Sequence, residues 1–387
     1  MIIVQKYGGS SVADNDKLYK VAKKIQKSVN EGNSVVVVVS AQGKTTDSLI
    51  NMAHSIDKKC PAREMDMLLA TGEQQSIALL TMMLNHIGVP AISFTGEQAG
   101  IFTIGEHMNA RIDEIRPFRI LNELEKGKVV VVAGFQGIDE EDDISTLGRG
   151  GSDTTAVALA YALSAERCDI YSDVDGVYTA DPNIVKNAFK LDEISYDTML
   201  ELASLGAKVL NNRAVELAKK YEVKLTSSGS FSEEEGTKIV RNSLENANVT
   251  GFTADKNVAI VTAFGVNNGY DLFTRLADKS IPIDIIGQSI DLEEVSFTVK
   301  SSDIDKVKEC IGNRYNIEVY ENCGKVSVVG SGMINKTEMV KKIYEALYES
   351  KVPIKLISSS EIKFSIIVDV EFVDIALNAL HNKVFNK

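Results

Sequence analysis

The 387-residue chain has no tryptophan, 6 prolines, 4 cysteines and 4 histidines, and each shortage excludes something. Cysteines at 60, 168, 310 and 323 are too few to staple so long a chain, and their spacings match no zinc or redox motif. The histidines, at 54, 86, 107 and 381, never fall in a helical metal-binding pair, so imidazole chemistry is not expected. Positive charge is also short. With 42 basic against 54 acidic residues the net charge is -12, which argues against a nucleic-acid partner. Long hydrophobic runs are missing too: residues 35–41 fall far short of the roughly 20 a membrane span needs. No charged leader with a cleavage site opens the chain, so a cytoplasmic location is expected, with no membrane partner. What is present, 44% hydrophobic and 25% charged residues, is the composition of a folded protein of about two to three domains.

The first two thirds alternate between two periodicities. Residues 2–5 form a short apolar strand, and Leu18, Val21, Ile25 and Val29 mark a helix over 16–30. The unbroken valine run within 34–40 reads as a strand buried on both faces. Further helices are expected over 62–88, 154–163, 196–205 and 212–220, and strands over 90–94, 129–134 and 168–172. Such alternation implies a mainly parallel sheet with helices on both faces, where ligands bind beyond the carboxyl ends of the strands.

Four polar clusters sit at those strand ends. Lys6-Tyr7-Gly8-Gly9-Ser10-Ser11 combines a sharp turn, exposed amides and a full positive charge, which together suit an anion. Thr146 to Ala156 carries Arg149, a planar fork suited to a carboxylate, then Gly150 and Gly151, which permit close backbone approach. Asp153 stands where a dinucleotide fingerprint would need glycine, so that reading fails. Ser172 to Pro182 sets hydroxyl, acidic and aromatic groups around Gly176, as an adenosine and phosphate site would. Thr71-Gly72-Glu73, with residues 40–46, forms the fourth.

Lys6 to Val12, Ser40 to Asp47, Gly72-Glu73, Gly134 to Gly137, Thr146 to Ala156 and Ser172 to Pro182 together resemble, in order, the motif set of the aspartate kinases, members of the amino-acid kinase fold. The resemblance implies a three-layer αβα catalytic domain over residues 1–245. It implies transfer of the γ-phosphoryl group of MgATP, a co-substrate and not a bound cofactor, to the β-carboxylate of L-aspartate. A carboxylate with a reference pKa of about 4 is already ionised and needs no general base. Carried over by position, Lys6 with the Gly8 and Gly9 amides stabilises the moving phosphoryl group, and Ser10 lies beside them at the nucleotide. Asp153 orients the catalytic groups. Arg149 grips the α-carboxylate and Glu73 the α-ammonium, with Ser40, Thr46, Gly150, Gly151 and Ser152 completing the substrate pocket. Ser172, Asp173, Tyr178, Asp181 and Lys208 fall where the nucleotide binds, and magnesium is held mainly by phosphate oxygens and water. One departure stands out: after Lys208-Val209-Leu210 the family usually shows histidine, whereas this chain has Asn211-Asn212.

The remaining 140 or so residues contain a repeat. Lys279 to Ser289 parallels Ser350 to Ser360, each preceded by an amphipathic helix and followed by a second strand. The first copy, 256–323, counts as a complete βαββαβ unit. The second, 324–387, lacks its fourth strand, and residues 249–254 upstream are expected to supply it, so 246–255 and 324–387 form one unit with the first copy inserted. Both copies resemble ferredoxin-like ACT domains, which implies an inhibitory amino acid, with lysine favoured and threonine possible. Gly269, Asp284, Gln288, Gly332, Met333 and Ser359 are the candidate regulatory residues. Such modules commonly pair across chains, so a homodimer or dimer of dimers is expected. The competing expectations are a kinase acting on glutamate or N-acetylglutamate, and a sensor without catalysis.

Overall fold

A computed structural model describes residues 1–207, 209–241, 249–267, 269–288, 294–330 and 337–385. The chain divides into two compact units. The first comprises residues 1–177, 190–203 and 208–244, the second 178–189, 204–207 and 245–387.

In the first unit the opening elements are β1 (Ile2–Tyr7), α1 (Asn15–Asn30), β2 (Ser34–Val39), α2 (Thr45–Ile56) and α3 (Ala62–His86). Next come β3 (Ala91–Phe94), β4 (Ile101–Ile104), β5 (Arg111–Ile115), α4 (Phe118–Glu125), β6 (Val129–Ala133), β7 (Gln136–Ile138) and β8 (Ile144–Thr146). The unit closes with α5 (Gly151–Ala162), β9 (Arg167–Ser172), β10 (Glu193–Ser195), α6 (Tyr196–Ser204), α7 (Asn212–Tyr221), β11 (Leu225–Gly229) and β12 (Thr237–Val240). Eight of these strands form one sheet in the order β10-β12-β11-β9-β1-β2-β6-β3, parallel throughout except between β11 and β12.

The valine run explains the centre of that sheet. Val35 to Val39 are all buried, and alternate side chains leave opposite faces. Val35, Val37 and Val39 join Leu18, Val21 and Ile25 of α1 and Ile77, Leu80 and Leu84 of α3 in one core, while α5 packs against β1, β2 and β9 and carries α7. Asp14 starts α1 by accepting the Lys17 backbone N–H at 2.9 Å. Beside the large sheet lies a small one, β5-β4-β7-β8, whose three- to five-residue strands the sequence pattern does not announce.

The second unit is built on a six-stranded antiparallel sheet. Its elements are β13 (Val249–Phe264), α8 (Gly269–Asp278), β14 (Ile286–Gln288), β15 (Glu294–Lys300), α9 (Ile304–Ile311), β16 (Asn316–Gly330), α10 (Thr337–Glu349), β17 (Leu356–Ser359), β18 (Lys363–Asp369) and α11 (Val373–Phe385). The order is β14-β15-β13-β16-β18-β17. Two strands are long because each serves twice. The first half of β13, Val249 to Asp255, pairs with Lys325 to Gly330, and its second half with β15 and with Asn316 to Cys323. Residues 178–189 also belong to this unit: Ala180 and Val185 lie in its core with Phe252, Val326 and Leu377. The buried hydroxyl of Thr179 is 2.9 Å from His381 Nε2 of α11. Among the described residues no helix is long and apolar enough to cross a membrane.

Candidate active site

Four adjacent strands, β9, β1, β2 and β6, deliver the site at their carboxyl ends, where an open parallel sheet leaves a crevice. β1 ends at Lys6-Tyr7 and the chain turns through Gly8 and Gly9 into a short 3-10 turn, with Ser10 exposed. Gly8 N–H donates to Tyr171 O at 3.2 Å, and Gly43 N–H to Gly9 O at 3.0 Å. Only glycine fits at position 9, because a Cβ there would stand 2.4 Å from Ala41 O.

Lys6 Nζ is 2.6 Å from Asp153 Oδ1, and both side chains are only 12% exposed. Asp153 lies in the first turn of α5, reached through Gly150, whose φ of +74° is the left-handed conformation that favours glycine. Gly151, Ser152 and Asp153 are buried, while Arg149 is exposed and its guanidinium has no partner among the described residues. Gly134, after β6, lets this segment close in, because a Cβ there would meet Ser152 Cβ at 2.7 Å.

Glu73 projects from α3 and is 3% exposed. Its Oε1 accepts the Ala41 backbone N–H at 2.9 Å, and its Oε2 has no hydrogen-bond partner among the described residues. Burial pushes its pKa up to about 7, against the opposing pull of the Ala41 N–H. Ser40 follows β2, and Thr46 is half-buried in the first turn of α2.

On the β9 side, Ser172 Oγ accepts the Val174 N–H at 3.2 Å and Asp173 is exposed. Ser230 N–H donates to Ser172 O, and the Ser230 and Ser11 hydroxyls are 2.6 Å apart. Ser230 escapes notice in the sequence because it belongs to no motif. Tyr178 and Asp181 belong to the second unit, where Asp181 Oδ1 accepts the Asn183 backbone N–H at 2.9 Å. Lys208, Gly332 and Met333 lie outside the described residues.

A third layer, also without a motif, holds the Arg149 loop. Asp66, one of the fully buried polar residues, sits seven positions before Glu73 on α3. It accepts the backbone N–H of Thr146 at 3.0 Å and that of Met108 at 3.1 Å, and also bonds the Thr146 hydroxyl and His107 Nδ1. The signal was the spacing, since 66 and 73 share one helix face. Asn211, the departure from the family pattern, caps α7 by accepting the Arg213 N–H at 3.0 Å, so the helix start is intact.

Of the regulatory candidates, Gly269 opens α8, and Gln288 and Ser359 are exposed at the ends of β14 and β17. Asp284 is engaged by an ion pair with Lys325 and lies 3.8 Å from Lys363.

The Gly8 amide expected at the phosphoryl group is turned to Tyr171 O instead; what remains, a lysine-acid pair at the Gly8-Gly9 turn and a buried carboxyl with one oxygen unpaired, has the charge pattern that phosphoryl transfer to a small charged molecule calls for. Residues 1–226 match the amino acid kinase family, and residues 326–384 match the ACT domain. The aspartokinase of Bacillus sp. (strain MGA3) is 48% identical over 395 residues, covering 98% of this chain and 96% of the relative. Aspartokinase 2 of Bacillus subtilis (strain 168) is 46% identical, covering 98% and 97%. Among solved structures, aspartate kinase from Synechocystis is 40% identical with a TM-score of 0.58, covering 99% of this chain and 69% of that one. E. coli aspartokinase III in complex with aspartate and ADP shares the fold, with a TM-score of 0.86 at 24% identity and full coverage of both chains. The chain belongs to the aspartokinases, within the amino acid kinase family.

Proposed function

We propose that this aspartokinase transfers the γ-phosphoryl group of MgATP to the β-carboxylate of L-aspartate, giving 4-phospho-L-aspartate, at the crevice above β1, β2 and β6. The observation that carries the reading is the Lys6–Asp153 pair at 2.6 Å beside the Gly8-Gly9 turn. The nucleophile is ionised at neutral pH, so the protein supplies alignment and charge neutralisation in place of a base. Lys6 and the Gly9 amide meet the charge that builds on the transferred group, and Asp153 fixes where the Lys6 ammonium points. Glu73 offers its unpaired Oε2 to the α-ammonium, Arg149 takes the α-carboxylate, and Ser40, Thr46 and Ser152 add hydrogen bonds. Ser172, Asp173, Tyr178, Asp181 and Lys208 remain the proposed nucleotide contacts.

The division into a catalytic domain over 1–245 and ACT domains over 256–323 and 246–255 with 324–387 belongs to the same reading. So do an end-product amino acid as inhibitor, with lysine ahead of threonine, pairing of chains through the ACT domains, and a cytoplasmic location. Released acyl phosphate is the test: with ATP, L-aspartate and hydroxylamine the product should be the β-hydroxamate. ADP release without any trapped hydroxamate would refute the reaction. Titration of that rate with lysine, threonine and both together would identify the effector, and indifference to all three would remove the regulatory part.

A further inference from the structure

The loop that carries Arg149 is closed from within by one turn bond, Gly151 N–H to Gly148 O at 3.0 Å. Gly148 and Gly150 both sit at positive φ, +75° and +74°, and Gly151 follows, so the backbone has wide freedom to lose. Arg149 itself is exposed and its guanidinium unpartnered among the described residues, so the only hold on this residue is through its backbone.

That backbone is pinned from outside. Arg213, in the first turn of α7, donates from Nη1 to Leu147 O and from Nη2 to Ala110 O at 2.9 Å. Asn211 donates from Nδ2 to Arg149 O at 3.1 Å while its Oδ1 caps α7. Its amide also lies against Gly150, where a Cβ would stand 2.0 Å from Nδ2. One residue therefore joins the helix cap to the carbonyl of the arginine.

We propose that Asn211 is a positioning residue for the amino-acid substrate: its bond to Arg149 O fixes the backbone from which the guanidinium reaches, and the aspartate KM depends on it. Pre-orientation removes an ordering cost that binding would otherwise meet. The inference rests on the proposed contact between Arg149 and the α-carboxylate, and the test separates the two. Asn211→Asp keeps a good helix cap but replaces the donor with an acceptor facing a carbonyl.

The experiment compares the wild type, Asn211→Asp, Arg149→Ala and the double variant in the full chain, reading aspartate KM, ATP KM, kcat and melting temperature. Asn211→Asp should raise the aspartate KM about three- to tenfold, the range of one lost hydrogen bond, with ATP KM within about twofold and melting unchanged. Arg149→Ala should raise it further, and adding Asn211→Asp should then change nothing more, since the two act as one. An unchanged aspartate KM in Asn211→Asp, with a raised one in Arg149→Ala, overturns the inference and leaves the arginine contact standing. Equal rises for both substrates, or additive effects, also overturn it. An unchanged aspartate KM in Arg149→Ala refutes the arginine contact first.

Discussion

At Glu73, burial and the proposed contact with the substrate ammonium act on one carboxyl in opposite directions. Its folded pKa of about 7 lies above the usual 4.5, so the folded chain keeps a proton that the unfolded chain has released between those values. The stability this group contributes is present at low pH and lost as pH rises through 7. Glu73→Gln, which keeps an oxygen for the Ala41 N–H, should therefore be more stable than the wild type at pH 8, by up to about 3 kcal/mol, with the gap closing near pH 4.5. Calorimetry at the two pH values checks it. The same titration should appear in binding: only the ionised carboxyl attracts an ammonium, so aspartate affinity should fall as pH drops below 7, up to about tenfold per unit. Isothermal titration should find that slope lost in Glu73→Gln. Glu73 was legible in the sequence through its Thr-Gly-Glu company. The bonds made by Asp66, Asn211 and Arg213 were not, because each acts on the backbone of a loop at least 62 positions away.

At the scale of elements, legibility followed burial. The valine strands announced themselves because both faces are covered, whereas β5, with Arg111, Asp113 and Glu114 along five residues, carries no apolar pattern. The helix over 151–162 begins three residues before the apolar period suggests, because its first turn is the Gly151-Ser152-Asp153 of the site. The turn after β1 is the least forgiving element. Gly9→Ala places a methyl 2.4 Å from Ala41 O, a contact that no side-chain rotation relieves. It should destabilise the fold by about 1–3 kcal/mol and lower kcat more than it raises either KM. Urea unfolding alongside steady-state rates would check both parts, and a variant with wild-type kcat would contradict the placement of this turn at the reacting group.

For the whole molecule, the count of strands mattered more than any motif. β13 and β16 each run through both halves of the six-stranded sheet, so the second unit does not divide at Cys323. A chain ended there would leave Val249 to Asp255 as an unpaired edge, with Phe252 stripped of its core. Such a truncation should aggregate or lose activity, and a folded, fully active one on size exclusion would contradict the shared strands. Sequence did not show that residues 178–189 pack with this unit, since their side chains read equally well as a nucleotide loop. The net charge of -12 adds a constraint on catalysis. An acidic chain that takes two anionic substrates depends on local cations and amides, and the proposed role of Lys6 is the first of them to test.

The most direct test of that account is a steady-state comparison of wild type and Lys6→Ala with MgATP and either L-aspartate or L-glutamate. The wild type should phosphorylate aspartate in strong preference to glutamate, and Lys6→Ala should lose turnover while still binding the inhibitory amino acid. Phosphorylation of glutamate alone, or undiminished turnover without Lys6, would contradict it.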